Sequence, residues 1–140
     1  MARSVRMRPS RTWIVVADSA RARIFRTERR DQDWELVEWL EHPEGRAHTP
    51  ELVTDMPNME SGELPKEYEA KVFARQLARR LERAFDAHEF RHLVLVAPPE
   101  MMGLLRQALD APVAATVANE ITKDLSQLRQ DELEDRIASW

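Results

Sequence analysis

Apolar side chains occupy consecutive positions in the first predicted strand, residues 12–18, which runs from Thr12 through an unbroken apolar stretch to Asp18. Alternate side chains of a strand point to opposite faces, so an unbroken apolar run is typical of a strand covered on both faces. Two further strands are predicted at about residues 21–27 and 34–41, with short polar turns between the three. The N-terminal half therefore predicts a three-stranded meander.

The third predicted strand carries large apolar side chains on both of its faces. Strict alternation places Trp34, Leu36 and Leu40 on one face. It places Val37 and Trp39 on the other face. This pattern predicts a sheet with helices on both sides, or with a partner on one side.

The second half of the sequence alternates between helical and strand patterns. Apolar residues recur at helical spacing over about residues 66–87, which predicts one long amphipathic helix. The other predicted elements are a buried strand at 92–97, a short helix at about 99–109, a strand at 113–119 and a closing helix at about 130–139. This order predicts a single α/β domain, a mixed sheet of about five strands flanked by helices, with right-handed crossovers in the second half.

Two parts of the chain show neither helix nor strand periodicity. Residues 1–11 are polar and basic, and we expect a flexible tail ahead of a domain that spans residues 12–140. Residues 42–65 hold half of the eight prolines and two of the three glycines, and acidic residues outnumber basic ones there. Such a long loop in a compact domain is more often functional than idle. The candidate site residues in this loop are His42, Arg46, Asp55 and Gly62, of which Arg46 and Asp55 either pair or face water.

The composition is that of an ordinary globular protein, with 43% hydrophobic and 33% charged residues. The absence of cysteine excludes disulfides and thiolate metal sites. The sequence shows no secretory signal pattern and no apolar run of about 18 residues, so we expect a cytoplasmic protein that does not enter a membrane. The net charge is -4, so nucleic-acid binding would require a local basic patch.

The sequence favours no metal, cofactor or nucleophilic site. His42 and His48 lack the spacing of a zinc pair, and the strand predicted to begin at His92 separates this residue from His88. There is no Gly-x-Ser-x-Gly pattern, and the three glycines are too scattered to form a phosphate loop. We therefore expect no cofactor.

Five segments of the sequence resemble the bacterial host attachment protein family. They are residues 13–25, 40–48, 73–77, 93–99 and 123–126, and the resemblance extends over nearly the whole chain from about Thr12 onward. That family is similar in fold to the middle domain of class 1 release factors. The resemblance therefore implies an α/β sandwich of ribonuclease-H-like type. Since no export signal is found, we expect any role in attachment to host cells to be indirect.

The resemblance to release factors does not extend to their catalytic tripeptide. In those proteins the loop before the long helix carries Gly-Gly-Gln, which triggers hydrolysis of peptidyl-tRNA. The matching stretch here, residues 58–65, has one glycine and no glutamine, and Gln76 falls inside the helix. Peptide-release activity is therefore not expected.

Asp18 is a candidate site residue at the end of the first strand, beside Arg21. Ribonuclease-H-type sheets place a metal-binding carboxylate at this position, and a nuclease would need further carboxylates such as Glu120 or Asp124. An aspartate before a tight turn also commonly accepts hydrogen bonds from the backbone of that turn. The sequence favours the turn.

Four basic residues recur every four positions along the long predicted helix: Lys71, Arg75, Arg79 and Arg83. Such a row can contact phosphates, and we treat it as a candidate RNA-binding surface. Glu67, Glu82 and Asp86 are spaced to pair with the row instead, and the sequence favours such a solvated, salt-bridged face over an RNA contact.

These patterns leave three functions open. The first is a non-enzymatic protein that docks on the ribosome or tRNA through the long loop and the basic row. The second is a metal-dependent nuclease or phosphohydrolase centred on Asp18. The third is a protein-interaction module, such as a homo-oligomer with Trp39 or Trp140 at the contact.

Overall fold

A computed structural model describes residues 11–28, 34–41 and 65–137 of the chain. These residues contain five strands and four helices. In chain order they are β1 (Thr12–Ala17), β2 (Arg21–Thr27), β3 (Glu35–Glu41), α1 (Pro65–Asp86), β4 (His92–Val96), α2 (Pro99–Ala108), α3 (Ala111–Ala114), β5 (Val117–Ile121) and α4 (Gln130–Ile137).

The strands form one mixed sheet in the order β3-β2-β1-β4-β5. β1 pairs with β2 and β2 with β3 in antiparallel orientation, whereas β1–β4 and β4–β5 are parallel pairs. The sheet is flanked by helices on both faces, and the predicted fold class, a single α/β domain with a five-stranded mixed sheet, is confirmed.

The central strand β1 divides the hydrophobic core into two clusters. All six of its residues are buried, which confirms that the unbroken apolar run is covered on both faces. Trp13 and Val15 belong to a cluster with the apolar stripe of α1 and with buried residues of α2 and α3. Ile14 and Val16 belong to a second cluster with Leu133 of α4. We call these sides of the sheet the α1 face and the α4 face.

The last strand lies later in the chain than its apolar pattern predicts. The predicted strand at 113–119 is observed as helix α3 followed by β5 (Val117–Ile121). The reason is a helix cap, because the Asp110 side chain accepts a hydrogen bond from the Val113 backbone N–H at 3.1 Å, and Pro112 stands in the first turn. Val113 therefore lies in a helical turn and not in a strand, and its side chain is buried.

The alternation predicted for β3 is also wrong, because the strand contains a bulge. Ile24 of β2 lies opposite Glu38, but its neighbour Phe25 lies opposite Leu36, so Val37 is the extra residue. The bulge changes which residues share a face. Trp34 packs in the cluster on the α4 face, whereas Leu40 packs on the α1 face, although strict alternation would place both together.

Helix α1 ends in a hydrogen-bonded cap at His88, which has a φ of 62°. The Glu89 N–H donates to the Ala84 carbonyl and the His88 N–H to the Phe85 carbonyl, each at 2.9 Å, which is the Schellman pattern. His88 therefore terminates the helix. Within residues 11–28, 34–41 and 65–137, no helix has both the length and the apolar character needed to cross a membrane.

We predict that Leu77→Ala, which removes a fully buried side chain of α1, lowers the free energy of unfolding by about 2–5 kcal/mol. The neighbouring exposed substitution Gln76→Ala is the control and should change it by no more than about 0.5 kcal/mol. Urea denaturation of both variants measures the difference. Equal effects would contradict the assignment of the buried face.

Candidate docking surface on the long helix

Helix α1 separates an apolar stripe from a row of cations. Its buried residues lie against the sheet, whereas Lys71, Arg75, Arg79 and Arg83 are all exposed on the outer side. Successive members are four residues apart, so they follow one another at about 6 Å along the helix axis. We call these four residues the cation row.

Three members of the cation row have no partner within the described part of the chain. The side chains of Arg75, Arg79 and Arg83 form no ion pair or hydrogen bond with residues 11–28, 34–41 or 65–137. The expected pairs with Glu82 and Asp86 are not formed there. The row therefore presents unneutralised guanidinium groups rather than a salt-bridged face.

Arg80 lies on another side of the same helix and is engaged by the sheet. Its Nε lies 2.6 Å from Glu38 Oε1 on β3, and its guanidinium lies over the Trp13 ring at 5.3 Å from the centroid. Arg80 therefore links α1 to the sheet and is not available to a ligand. One helical residue rotates a side chain by about 100°, which separates Arg80 from Arg79.

A groove between α1 and α2 adjoins the N-terminal end of the cation row. It has a volume of about 200 Å³ and is lined by Lys71, Ala74, Arg75, Leu104, Gln107 and Ala108. Gln107 adds an amide that can donate and accept hydrogen bonds beside the cations. No sequence signal identified Gln107, because its position depends on how α2 packs on α1.

Asp18 serves the turn between β1 and β2. Its Oδ1 accepts hydrogen bonds from the backbone N–H groups of Ala20 and Arg21, at 2.8 and 2.9 Å. Arg21 Nε lies 3.8 Å from the other carboxylate oxygen. These contacts agree with the turn interpretation of the sequence.

The carboxylates considered as companions of Asp18 are engaged elsewhere. Glu120 accepts from Arg106 Nε at 3.0 Å, and Asp124 accepts from the Ser126 hydroxyl at 2.8 Å. Residues 11–28, 34–41 and 65–137 contain no cluster of three or more side chains suited to hold a metal ion. The described geometry therefore does not support the nuclease hypothesis.

Arg23 is a structural residue that the sequence analysis missed. Its Nη2 donates to the carbonyls of Ser126 and Leu128, at 3.0 and 2.7 Å, and so ties β2 to the loop before α4. Burial lowers the pKa of Arg23, and the neighbouring Arg21 lowers it further. Arg21 and Arg23 are two positions apart in a strand, so the sequence alone indicates that both side chains lie on one face of β2.

Four candidate residues, His42, Arg46, Asp55 and Gly62, lie outside the described residues, as does Trp140. The remaining candidate residues form two separate groups. Lys71, Arg75, Arg79 and Arg83 lie along α1. Asp18 and Arg21 lie together at the turn between β1 and β2. The row and the groove are the candidate functional site.

A family described as proteins required for attachment to host cells matches residues 13–137. The chain belongs to this family. Host attachment family membership was expected from the five segments, and it is confirmed. The accompanying resemblance to release-factor middle domains stays a prediction.

Two similar proteins add to this comparison. An uncharacterised protein of Rickettsia prowazekii (strain Madrid E) is 35% identical over 71 residues, which are 49% of this chain and 47% of that protein. A solved structure described as an archaeal protein aligns with a TM-score of 0.53 at 11% identity, covering 92% of this chain and 34% of its own. The chain thus spans about half the length of the first and about a third of the second. At this identity the structural likeness shows the fold alone.

We predict that Asp18→Ala lowers the free energy of unfolding by about 1 kcal/mol, because two backbone donors of the turn lose their acceptor. Asp18→Asn keeps the acceptor oxygen and should stay within about 0.5 kcal/mol of the unaltered chain. Thermal or urea unfolding compares the two variants. If Asp18→Asn were as destabilising as Asp18→Ala, the carboxylate charge and not the hydrogen bonds would hold the turn.

Proposed function

We propose that this member of the host attachment family is a non-enzymatic docking protein that binds RNA of the ribosome or tRNA through the cation row of α1. The observation that carries the proposal is that Arg75, Arg79 and Arg83 are exposed and have no partner among the described residues. The RNA target rests in addition on the similarity in fold to release factors that the family resemblance implies.

The charge pattern supports a local site rather than general attraction to RNA. The whole chain carries a net charge of -4, which repels phosphates at long range. Within α1, however, the guanidinium groups lie close together, and a guanidinium binds phosphate oxygens in a bidentate, directional manner. Contacts of this kind release counterions from RNA, so the complex should weaken steeply with salt.

The proposal assigns the chain binding and not peptide release. The stretch that matches the release-factor tripeptide has no glutamine. The turn residue Asp18 is held by its own backbone contacts and does not converge with other carboxylates among the described residues. A docking protein needs only an accessible surface with complementary charge, and the cation row with its adjoining groove meets that requirement.

We expect tagged protein to sediment with ribosomal particles in a sucrose gradient at low salt and to stay at the top at high salt. The variant Arg75→Glu/Arg79→Glu/Arg83→Glu should not co-sediment. Binding of purified tRNA, measured by fluorescence anisotropy against salt, should show a log–log slope that is smaller by about 1 for each phosphate that the variant no longer binds.

The matched control is Arg91→Glu/Lys123→Glu/Arg136→Glu, which makes the same change in net charge at exposed cations outside α1. It should keep most of the binding. Equal reductions in both triple variants would mean that net charge alone matters, and would contradict the proposal. So would co-sedimentation that is insensitive to salt. Thermal unfolding of both variants checks that the fold is retained.

A further inference from the structure

The groove between α1 and α2 combines apolar and polar lining residues. Its apolar lining comes from Ala74, which is buried, and from Leu104 and Ala108, which are half-buried. Arg75 of α1 and Gln107 of α2 line it as exposed polar side chains. Its volume of about 200 Å³ is below the range of pockets that take drug-sized molecules, so it suits a single flat ring system.

The polar side chains on the two helices have hydrogen-bonding capacity that the described part of the chain does not use. Neither the Arg75 guanidinium nor the Gln107 amide forms a hydrogen bond or ion pair with a described residue. A guanidinium donates to phosphate oxygens, whereas an amide both donates and accepts. Together they can hold a ligand that joins a phosphate to a neutral hydrogen-bonding ring.

The charge of Arg75 is not offset inside the groove. The described residues that line it include no aspartate or glutamate. Nearby charged residues at the end of α2 are engaged elsewhere, because Arg106 donates to Glu120 and Asp110 accepts from the Val113 backbone N–H. The groove therefore favours an anionic ligand.

The cation row continues from the groove along α1. Arg75, Arg79 and Arg83 follow one another at about 6 Å along the helix axis and span about 12 Å. This interval is comparable with the separation of successive phosphates along one nucleic-acid strand. Proteins that bind single strands combine such a basic track with sites for individual bases. A strand whose phosphates follow the row would bring one base to the groove beside Arg75.

We propose that the groove accepts one unpaired base of a single-stranded RNA segment whose phosphates bind the cation row. The base packs on Leu104 and Ala108, the Gln107 amide forms hydrogen bonds with the edge of the base, and Arg75 binds the adjoining phosphate. Adenine is well suited, because an amide can donate to its N7 and accept from its N6 amino group. This inference rests on the proposed RNA docking and specifies that the bound segment is single-stranded.

Base pairing would keep a base out of the groove. In a duplex the base is stacked on both faces and its Watson–Crick edge is occupied, so it can enter the groove only after the pair opens. We therefore expect a single strand to bind more tightly than a duplex of the same sequence.

The probe is a short RNA strand with one adenosine between abasic nucleotides, and the matched strand is abasic throughout. Both strands carry the same phosphates, so the difference in their dissociation constants isolates the base. Fluorescence anisotropy at low salt should show that the adenosine strand binds about fivefold or more tightly, as expected for a base held by a protein surface.

Two variants of the groove test which residues produce this advantage. Gln107→Ala removes the amide and should lower the advantage of the adenosine strand about fivefold. Ala108→Phe fills the groove and should abolish it. Neither variant should change the binding of the abasic strand. The matched controls at exposed positions outside the groove, Gln76→Ala and Ala114→Phe, should leave both strands unaffected. Thermal unfolding checks that all four variants retain the fold.

The outcomes separate this inference from the proposed function. Equal binding of the two strands, or an advantage that Gln107→Ala and Ala108→Phe leave unchanged, would overturn the inference. So would free adenosine monophosphate that binds as tightly as the strand, because the occupant would then be a mononucleotide. If Arg75→Glu/Arg79→Glu/Arg83→Glu abolishes binding of both strands but adenosine gives no advantage, RNA docking stands and the base site fails. If the unaltered chain binds neither strand nor tRNA, both proposals fail.

Discussion

Burial of β1 on both faces governs the arrangement of every other element. Six consecutive buried residues can exist only between two layers, so apolar elements must pack on each side of the sheet. Helices α1, α2 and α3 cover the face of the sheet on which Trp13 lies, and α4 covers the face on which Ile14 lies. The neighbouring strands β2 and β4 complete the backbone pairing of β1.

The two-layer cover also dictates where the charges lie. Because the apolar stripe of α1 faces the sheet, the cation row must face outward, and Arg80, one position beyond Arg79, turns toward Glu38 and Trp13. The opposite side carries α4, which has four acidic residues and one arginine. The chain therefore carries the cation row on one side of the sheet and the mainly acidic helix α4 on the other, although its net charge is only -4.

The proposed docking on RNA would depend on shape and charge and would need no reactive group. The chain belongs to a family described as proteins required for attachment to host cells, but a fold and a family do not specify a chemistry. The three carboxylates considered for catalysis are used structurally: Asp18 holds a turn, Glu120 pairs with Arg106, and Asp124 accepts from Ser126.

The family, the five-stranded α/β fold, the buried central strand and the outward position of the cation row could all be predicted from the sequence. The family follows from the five matching segments, and the other features depend on local periodicity, which the chain carries in the order of its residues. The bulge at Val37, the helical turn around Val113 and the lack of described partners for Arg75 became known only from the folded chain. Strand register, capping against a packed neighbour and the choice among nearby ion pairs depend on residues distant in sequence, so no local pattern contains them.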